Sequence, residues 1–134
     1  MKIAVLGYGT VGSGVVEVLD VNQKLIASRA KEKIEVKYVL DLRNFPGDKI
    51  QEKIVHDYEI ILNDPEIGIV VEVMGGVEPA NTFVRKALEA GKSVVTSNKA
   101  LVAKHGSALL KTAREKNVNF LFEASVGGGI PILR

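Results

Sequence analysis

The feature that most constrains this chain is the run from Ile3 to Gly12, IAVLGYGTVG. Ile3-Ala4-Val5-Leu6 passes directly into Gly7-Tyr8-Gly9-Thr10-Val11-Gly12, the G-x-G-x-x-G spacing. An apolar strand that enters a helix through such a turn makes a separate demand at each glycine. Gly7 allows the tight turn, Gly9 lets backbone approach a phosphate, and Gly12 lets the helix pack closely on the strand. The N–H groups at the helix start and the helix dipole then favour an anion. Glycine-rich turns are common, and the alternative is a turn that serves packing only. Context decides: a helix-periodic run comes next, with Val11, Val15, Val18, Leu19, Leu25 and Ile26. That points to the pyrophosphate of NAD(H) or NADP(H).

Strand and helix patterns alternate along the rest of the chain. Ile34 to Leu40 reads as a second strand, with Val36, Tyr38 and Leu40 alternating against Glu35, Lys37 and Val39. Asp41-Leu42-Arg43 closes it, and Asn44 to Gly47 is loop. Ile54-Val55-His56 is a very short third strand, and Asp57 caps a turn or two of helix reaching Asn63. Gly68 to Val73 is a strongly apolar strand. Glu78-Pro79 opens a helix carrying Phe83, Val84, Ala87 and Leu88, and Gly91 stops it. Ser93 to Thr96 is the next strand. A helix from about Lys99 to Lys116 turns Leu101, Leu109 and Leu110 to its apolar side, and Phe120-Leu121-Phe122 is the last strand. This order requires right-handed crossovers and hence a parallel sheet. The expected fold is α/β, a doubly wound Rossmann-type sheet with helices on both faces. At 134 residues the chain suits one dinucleotide-binding domain over 1–134.

Composition narrows the partners. A 46% hydrophobic content supplies a core, and 25% charged is the soluble average. The net charge of +2, spread along the chain, gives no reason to invoke nucleic acid or a membrane surface. The absence of cysteine excludes disulfides and thiolate chemistry. The N-terminus lacks a signal-peptide layout, and no apolar run approaches the roughly 20 residues that span a bilayer. The expectation is a cytoplasmic protein with small-molecule partners.

Asp41 ends the second strand, where an acid accepts hydrogen bonds from the adenosine ribose. It lies further from Gly12 than the usual ~20 residues, a gap that a long first helix and the charged Arg29 to Lys33 turn account for. Arg43 either holds a 2′-phosphate or is a solvated loop cation. The acid favours NAD and the arginine NADP, and the residues leave the choice open. Lys99 stands in the first turn of a helix that Ser97 or Asn98 caps. A cation there opposes the helix dipole by some 0.3–1 kcal/mol. It either faces an anionic or carbonyl group or simply reaches water. Glu72, in an apolar strand, faces the cleft or caps the strand end. His56 and His105 lack ligand-spaced partners and read as ordinary loop or surface histidines.

Four segments, GYGTVGSGV at 7–15, VVEVMGGVEPA at 70–80, SNKALVAKHG at 97–106 and FEASVGGGIP at 122–131, resemble homoserine dehydrogenase, in order and along the whole chain. That family interconverts homoserine and aspartate 4-semialdehyde with NAD(H) or NADP(H), on the route to threonine, methionine and isoleucine. The resemblance implies cofactor contacts at Gly7, Gly9, Thr10, Val11 and Gly12. It implies that Met74, Gly75 and Gly76 pass the nicotinamide side. Thr96, Ser97 and Lys99 would line the cleft, with Lys99 as the catalytic residue beside nicotinamide and substrate. It also implies a monovalent cation, usually sodium, held by the Glu123 carboxylate and the carbonyls of Val126, Gly128 and Ile130, an oxygen set that suits a hard cation.

In the family the substrate domain comes after the GGGIP segment and brings further acids, the proton-donating lysine and most dimer contacts. The sequence stops at Arg134. The expectation is therefore a cofactor domain that turns over little substrate alone, from a protein that is a homodimer at full length. Two rivals stand beside this reading. One is another oxidoreductase with a similar first half, against which SNKALVA and EASVGGGIP argue. The other is an NAD(P)-sensing regulatory domain without catalysis, in which Lys99 and the GGGIP loop have no evident purpose.

Overall fold

The computed structural model describes residues 1–21 and 34–123. The expected positions Leu25 and Ile26 and the Arg29 to Lys33 turn lie outside them, as do the side chains of Val18 and Leu19. The described strands are β1 (Lys2–Leu6), β2 (Glu35–Leu40), β3 (Ile54–Val55), β4 (Ile67–Glu72), β5 (Ser93–Thr96) and β6 (Phe120–Phe122). They form a single parallel sheet in the order β3-β2-β1-β4-β5-β6. The helices are α1 (Thr10–Val21), α2 (Tyr58–Leu62), α3 (Ala80–Glu89) and α4 (Lys99–Glu115), with a 3-10 helix over Lys49–Lys53.

Strand order reverses at β1. The chain builds outward to β3 and then crosses back to β4. Right-handed crossovers in opposite directions place their helices on opposite faces. One face accordingly packs Val15 and Val16 of α1 and Ile50 of the 3-10 helix on Ile3, Val5, Val39, Val71 and Val95. The other packs Tyr58 and Ile61 of α2, Val84 and Leu88 of α3, and Leu101 and Leu109 of α4 on Ala4, Leu6, Leu40, Val70 and Val94. β1 has apolar side chains on both faces because both faces are covered.

Two sequence expectations need correction. The simple alternation in β2 fails because the β1–β2 register shifts: Ile3 pairs with Val36, but Ala4 pairs with Tyr38. The extra residue is Lys37, and it switches the facing of the residues after it. Val36 joins the α1 core, Tyr38 and Leu40 join the other, and Val39 returns to the first. Lys37 is released to donate to Asp64 and to Glu66 (2.8 Å), while the Tyr38 hydroxyl also donates to Asp64 (2.9 Å). In α4, Leu101 and Leu109 are buried but Leu110 is 40% exposed. At about 100° per residue, Leu110 falls opposite Leu101.

The C-terminal edge of the sheet is level. Val55 pairs with Leu40, Leu40 with Leu6, Leu6 with Glu72, Glu72 with Thr96, and Thr96 with Phe122. All of these strand-end loops therefore leave the sheet along one line.

At the base of the sheet, the hydrogen bond from Lys37 holds the Asp64 carboxyl down at about 2. An unfolded aspartate titrates near ~3.9, so the stability Asp64 contributes is complete above about pH 4 and is lost as pH falls toward 2. Asp64→Asn is expected to flatten the decline of the urea midpoint across that window. An unchanged decline would contradict this role.

Candidate cofactor site

The turn after β1 divides its glycines as their spacing requires. Gly7 adopts φ 100°, and its N–H donates to the Leu40 carbonyl at 2.8 Å. A Cβ on Gly12 would stand 1.9 Å from the Gly7 carbonyl oxygen, so no side chain fits between helix and strand end. Gly9 is the opposite case, with nothing within 4 Å of where its Cβ would stand. The first helical bond of α1 runs from Ser13 N–H to the Gly9 carbonyl at 2.9 Å. The N–H groups of Thr10, Val11 and Gly12 precede it and have no acceptor within the helix. The first turn carries no acid to neutralise them. An open glycine beside unsatisfied helix-start donors fits a bound phosphate.

On one side of this turn, Asp41 and Arg43 act together. Asp41 Oδ2 accepts from Tyr8 N–H (2.9 Å) and Arg43 Nη2 (3.0 Å). Oδ1 accepts from the Arg43 backbone N–H (2.9 Å) and Nε (3.0 Å). Arg43 Nη2 also donates to the Tyr8 carbonyl at 3.2 Å, and its guanidinium lies over the Phe45 ring at 5.1 Å. The Asp41 side chain is 9% exposed and that of Arg43 62%. The guanidinium beside Asp41 holds its carboxyl well below the usual carboxylate range, against the opposing effect of burial. The acid thus anchors the arginine, and the cation faces outward. His56, just after β3, contacts the same loop: its Nδ1 lies 2.7 Å from the Asp41 carbonyl and its Nε2 2.8 Å from Asn44 Oδ1.

On the other side, a buried carboxylate organises the loops after β4 and β5. Glu72 is fully buried. Its Oε1 accepts from Thr96 Oγ1 at 2.6 Å, and its Oε2 from Met74 N–H at 2.8 Å and Asn98 Nδ2 at 3.4 Å. All three partners are donors, the set an ionised carboxylate accepts. Asn98 also donates through Nδ2 to the Gly76 carbonyl and caps α4 by accepting from Leu101 N–H at 3.1 Å. Its own N–H reaches Thr96 Oγ1 at 2.9 Å. Of the two caps that the sequence allows, Asn98 is the one used. Gly75 and Gly76 both have positive φ, 78° and 75°, a backbone turn that side chains disfavour.

The sequence leaves Glu72 between facing the cleft and capping its strand, and the structure makes it the tie between the Met74-Gly75-Gly76 loop and the start of α4. A signal is present: an acid ending an apolar strand must find donors, and Thr96 ends the neighbouring strand. Lys99 opens α4 and is exposed, and its side chain makes no hydrogen bond or ion pair with any described residue. Ser97 donates its N–H to the Glu72 carbonyl at 3.2 Å. Glu123, half-buried after β6, donates its N–H to the Thr96 carbonyl at 2.9 Å. The other expected cation ligands, Val126, Gly128 and Ile130, lie outside the described residues.

The sequence matches the family described as homoserine dehydrogenase, NAD binding domain, over residues 7–123. It is 42% identical over 139 residues to homoserine dehydrogenase of Lactococcus lactis, covering 100% of this chain and 32% of that protein. It is 44% identical over 135 residues to that of Pseudomonas aeruginosa, covering 100% of this chain and 31% of that protein. The crystal structure of Staphylococcus aureus homoserine dehydrogenase at pH 7.5 superposes with a TM-score of 0.85 and 41% identity, over 93% of this chain and 32% of that one. The chain spans about a third of the length of the curated relatives it matches.

Glu72→Gln keeps the shape of the side chain but replaces one acceptor oxygen by a donor. It is expected to lower the unfolding free energy by about 1–3 kcal/mol in urea titration. A loss below about 0.5 kcal/mol would show that the loops after β4 and β5 are held by other contacts.

Proposed function

Because this chain belongs to the homoserine dehydrogenase family as an NAD-binding domain, we propose that it holds NADP(H) for the interconversion of L-homoserine and L-aspartate 4-semialdehyde. The observation that carries this reading is the level row of strand ends, with the open glycine turn where the strand order reverses. Open α/β sheets bind ligands in that crevice. Bound nicotinamide supplies or accepts the hydride.

The chain's own residues divide the remaining tasks. The N–H groups of Thr10, Val11 and Gly12, beside the bare backbone of Gly7 and Gly9, meet the pyrophosphate. Arg43 meets the 2′-phosphate, and Asp41 orients it; this arrangement favours NADP(H) over NAD(H). Met74, Gly75, Gly76 and Ser97 line the nicotinamide end, and Thr96, fully buried, supports them from beneath through Glu72 and Asn98. Lys99 presents its ammonium beside the reacting carbonyl, where a positive charge stabilises the developing alkoxide. The reading includes a monovalent cation at Glu123 with the carbonyls of Val126, Gly128 and Ile130. It takes the whole enzyme as a cytoplasmic homodimer acting on small molecules, without nucleic-acid or membrane partners. No helix among the described residues is long and apolar enough to cross a membrane.

Calorimetric titration of the 134-residue chain with NADPH and NADH tests this directly. NADPH is expected to bind about tenfold or more tightly than NADH, and Arg43→Ala to remove the difference. A tenfold preference for NADH would overturn the role given to Arg43, and binding of neither cofactor would overturn the reading as a whole.

A further inference from the structure

His56 bridges two residues of the loop that carries Arg43, and the polarity of both contacts is fixed. Its Nδ1 lies 2.7 Å from the Asp41 carbonyl. A carbonyl oxygen only accepts, so Nδ1 must donate. Its Nε2 lies 2.8 Å from Asn44 Oδ1. A short chain of contacts sets the orientation of that amide. The Phe45 backbone N–H only donates, and it reaches Gln51 Oε1. The other atom of the Gln51 amide is therefore the donor Nε2, and it lies 3.2 Å from Asn44 Oδ1. Asn44 thus presents its oxygen to Gln51 and to His56 alike. Nε2 of His56 must donate too.

A neutral imidazole carries one N–H, whereas the imidazolium carries two. Only the charged ring satisfies both contacts. The neutral ring leaves a nitrogen lone pair facing an oxygen within hydrogen-bond distance. The two residues it grips, Asp41 and Asn44, flank Arg43 in sequence. The charged groups on the surrounding elements leave room for this charge to matter. Asp41 and Arg43 pair with each other. Asp48, Lys49, Glu52 and Lys53 on the 3-10 helix and its cap balance in sign. Asp57, which caps α2, and Glu59 in its first turn are acidic.

We propose that His56 is a specificity-determining residue of the cofactor site. As an imidazolium it locks the Asp41 to Phe45 loop with Arg43 facing outward and adds positive charge at the 2′-phosphate end. NADP(H) is favoured while His56 is charged, and the preference fades when it is neutral. The inference deepens the reading of Arg43 given above and rests on it.

Histidine changes charge between about pH 5 and 8. The 2′-phosphate loses its second proton near about 6, which strengthens NADPH binding as pH rises. The wild type alone therefore mixes two effects, and His56→Asn serves as the reference. Dissociation constants for NADPH and NADH are measured for both at about pH 5.5 and about pH 8.5. The wild-type preference for NADPH is expected to exceed that of His56→Asn by about three- to tenfold at the lower pH and to equal it at the higher. Identical preferences at both pH values would overturn the inference.

Arg43→Ala, measured alongside, separates the two readings. If it leaves the preference untouched, the reading of Arg43 fails and takes this inference with it. If it abolishes the preference while His56→Asn tracks the wild type throughout, only the role of His56 fails. NMR titration of the unmutated chain is independent of how any variant folds, and His105 is the internal reference. NADPH is expected to move the titration midpoint of His56 upward where NADH does not. Equal midpoints with the two cofactors would overturn the inference.

Discussion

The contact between the backbone of Gly12 and the carbonyl of Gly7 sets the rest of the site. There is no space there for a methyl group, since a Cβ would stand 1.9 Å from the oxygen. That closeness puts the first turn of α1 directly on the end of β1. It aims the N–H groups of Thr10, Val11 and Gly12 at the crevice where the strand order reverses. One added carbon would push the helix away and move its donors with it. The open space at Gly9 has value only because Gly12 fixes where the helix begins.

Around this turn the structure uses two carboxylates in different ways. Asp41 sits at the end of β2 and anchors an outward-facing arginine. Glu72 sits at the end of β4 and is fully buried, with neutral donors converging on it from three residues. The first fixes a cation that a ligand can meet. The second fixes backbone, joining the two positive-φ glycines of the 74–76 loop to the cap of α4. Lys99 inherits its position from that cap. Both acids stand where a strand ends, Asp41 just past β2 and Glu72 last within β4, because strand ends are where buried backbone gives way to cleft.

The glycine turn, the order of elements and the class of fold are legible in the sequence. Backbone sterics and doubly covered parallel strands leave direct marks there, as Gly12 and the apolar β1 illustrate. The β2 irregularity is not legible. It depends on Lys37 finding Asp64 and Glu66, which are distant in sequence and adjacent only once β4 lies beside β1. The Glu72 network spans two strands and a helix cap, so no single segment reveals it. Asp41 and Arg43 are visible in the sequence but read there as rivals, one for NAD and the other for NADP. Geometry couples them: four hydrogen bonds reach the acid, three of them from Arg43. The 3-10 helix at Lys49–Lys53 comes after a proline–glycine loop and carries no long periodic pattern, so sequence reasoning misses it.

The central claim is that a dinucleotide lies along the level row of strand ends. Amide chemical-shift mapping of the isotope-labelled chain during NADPH titration tests it most directly. The account predicts that the largest shifts fall at Gly9, Thr10, Val11, Gly12, Arg43, Gly75, Gly76 and Ser97, and that Lys2, Lys37 and Lys92 at the opposite edge stay still. Shifts concentrated at that opposite edge, with the glycine turn unmoved, would contradict it.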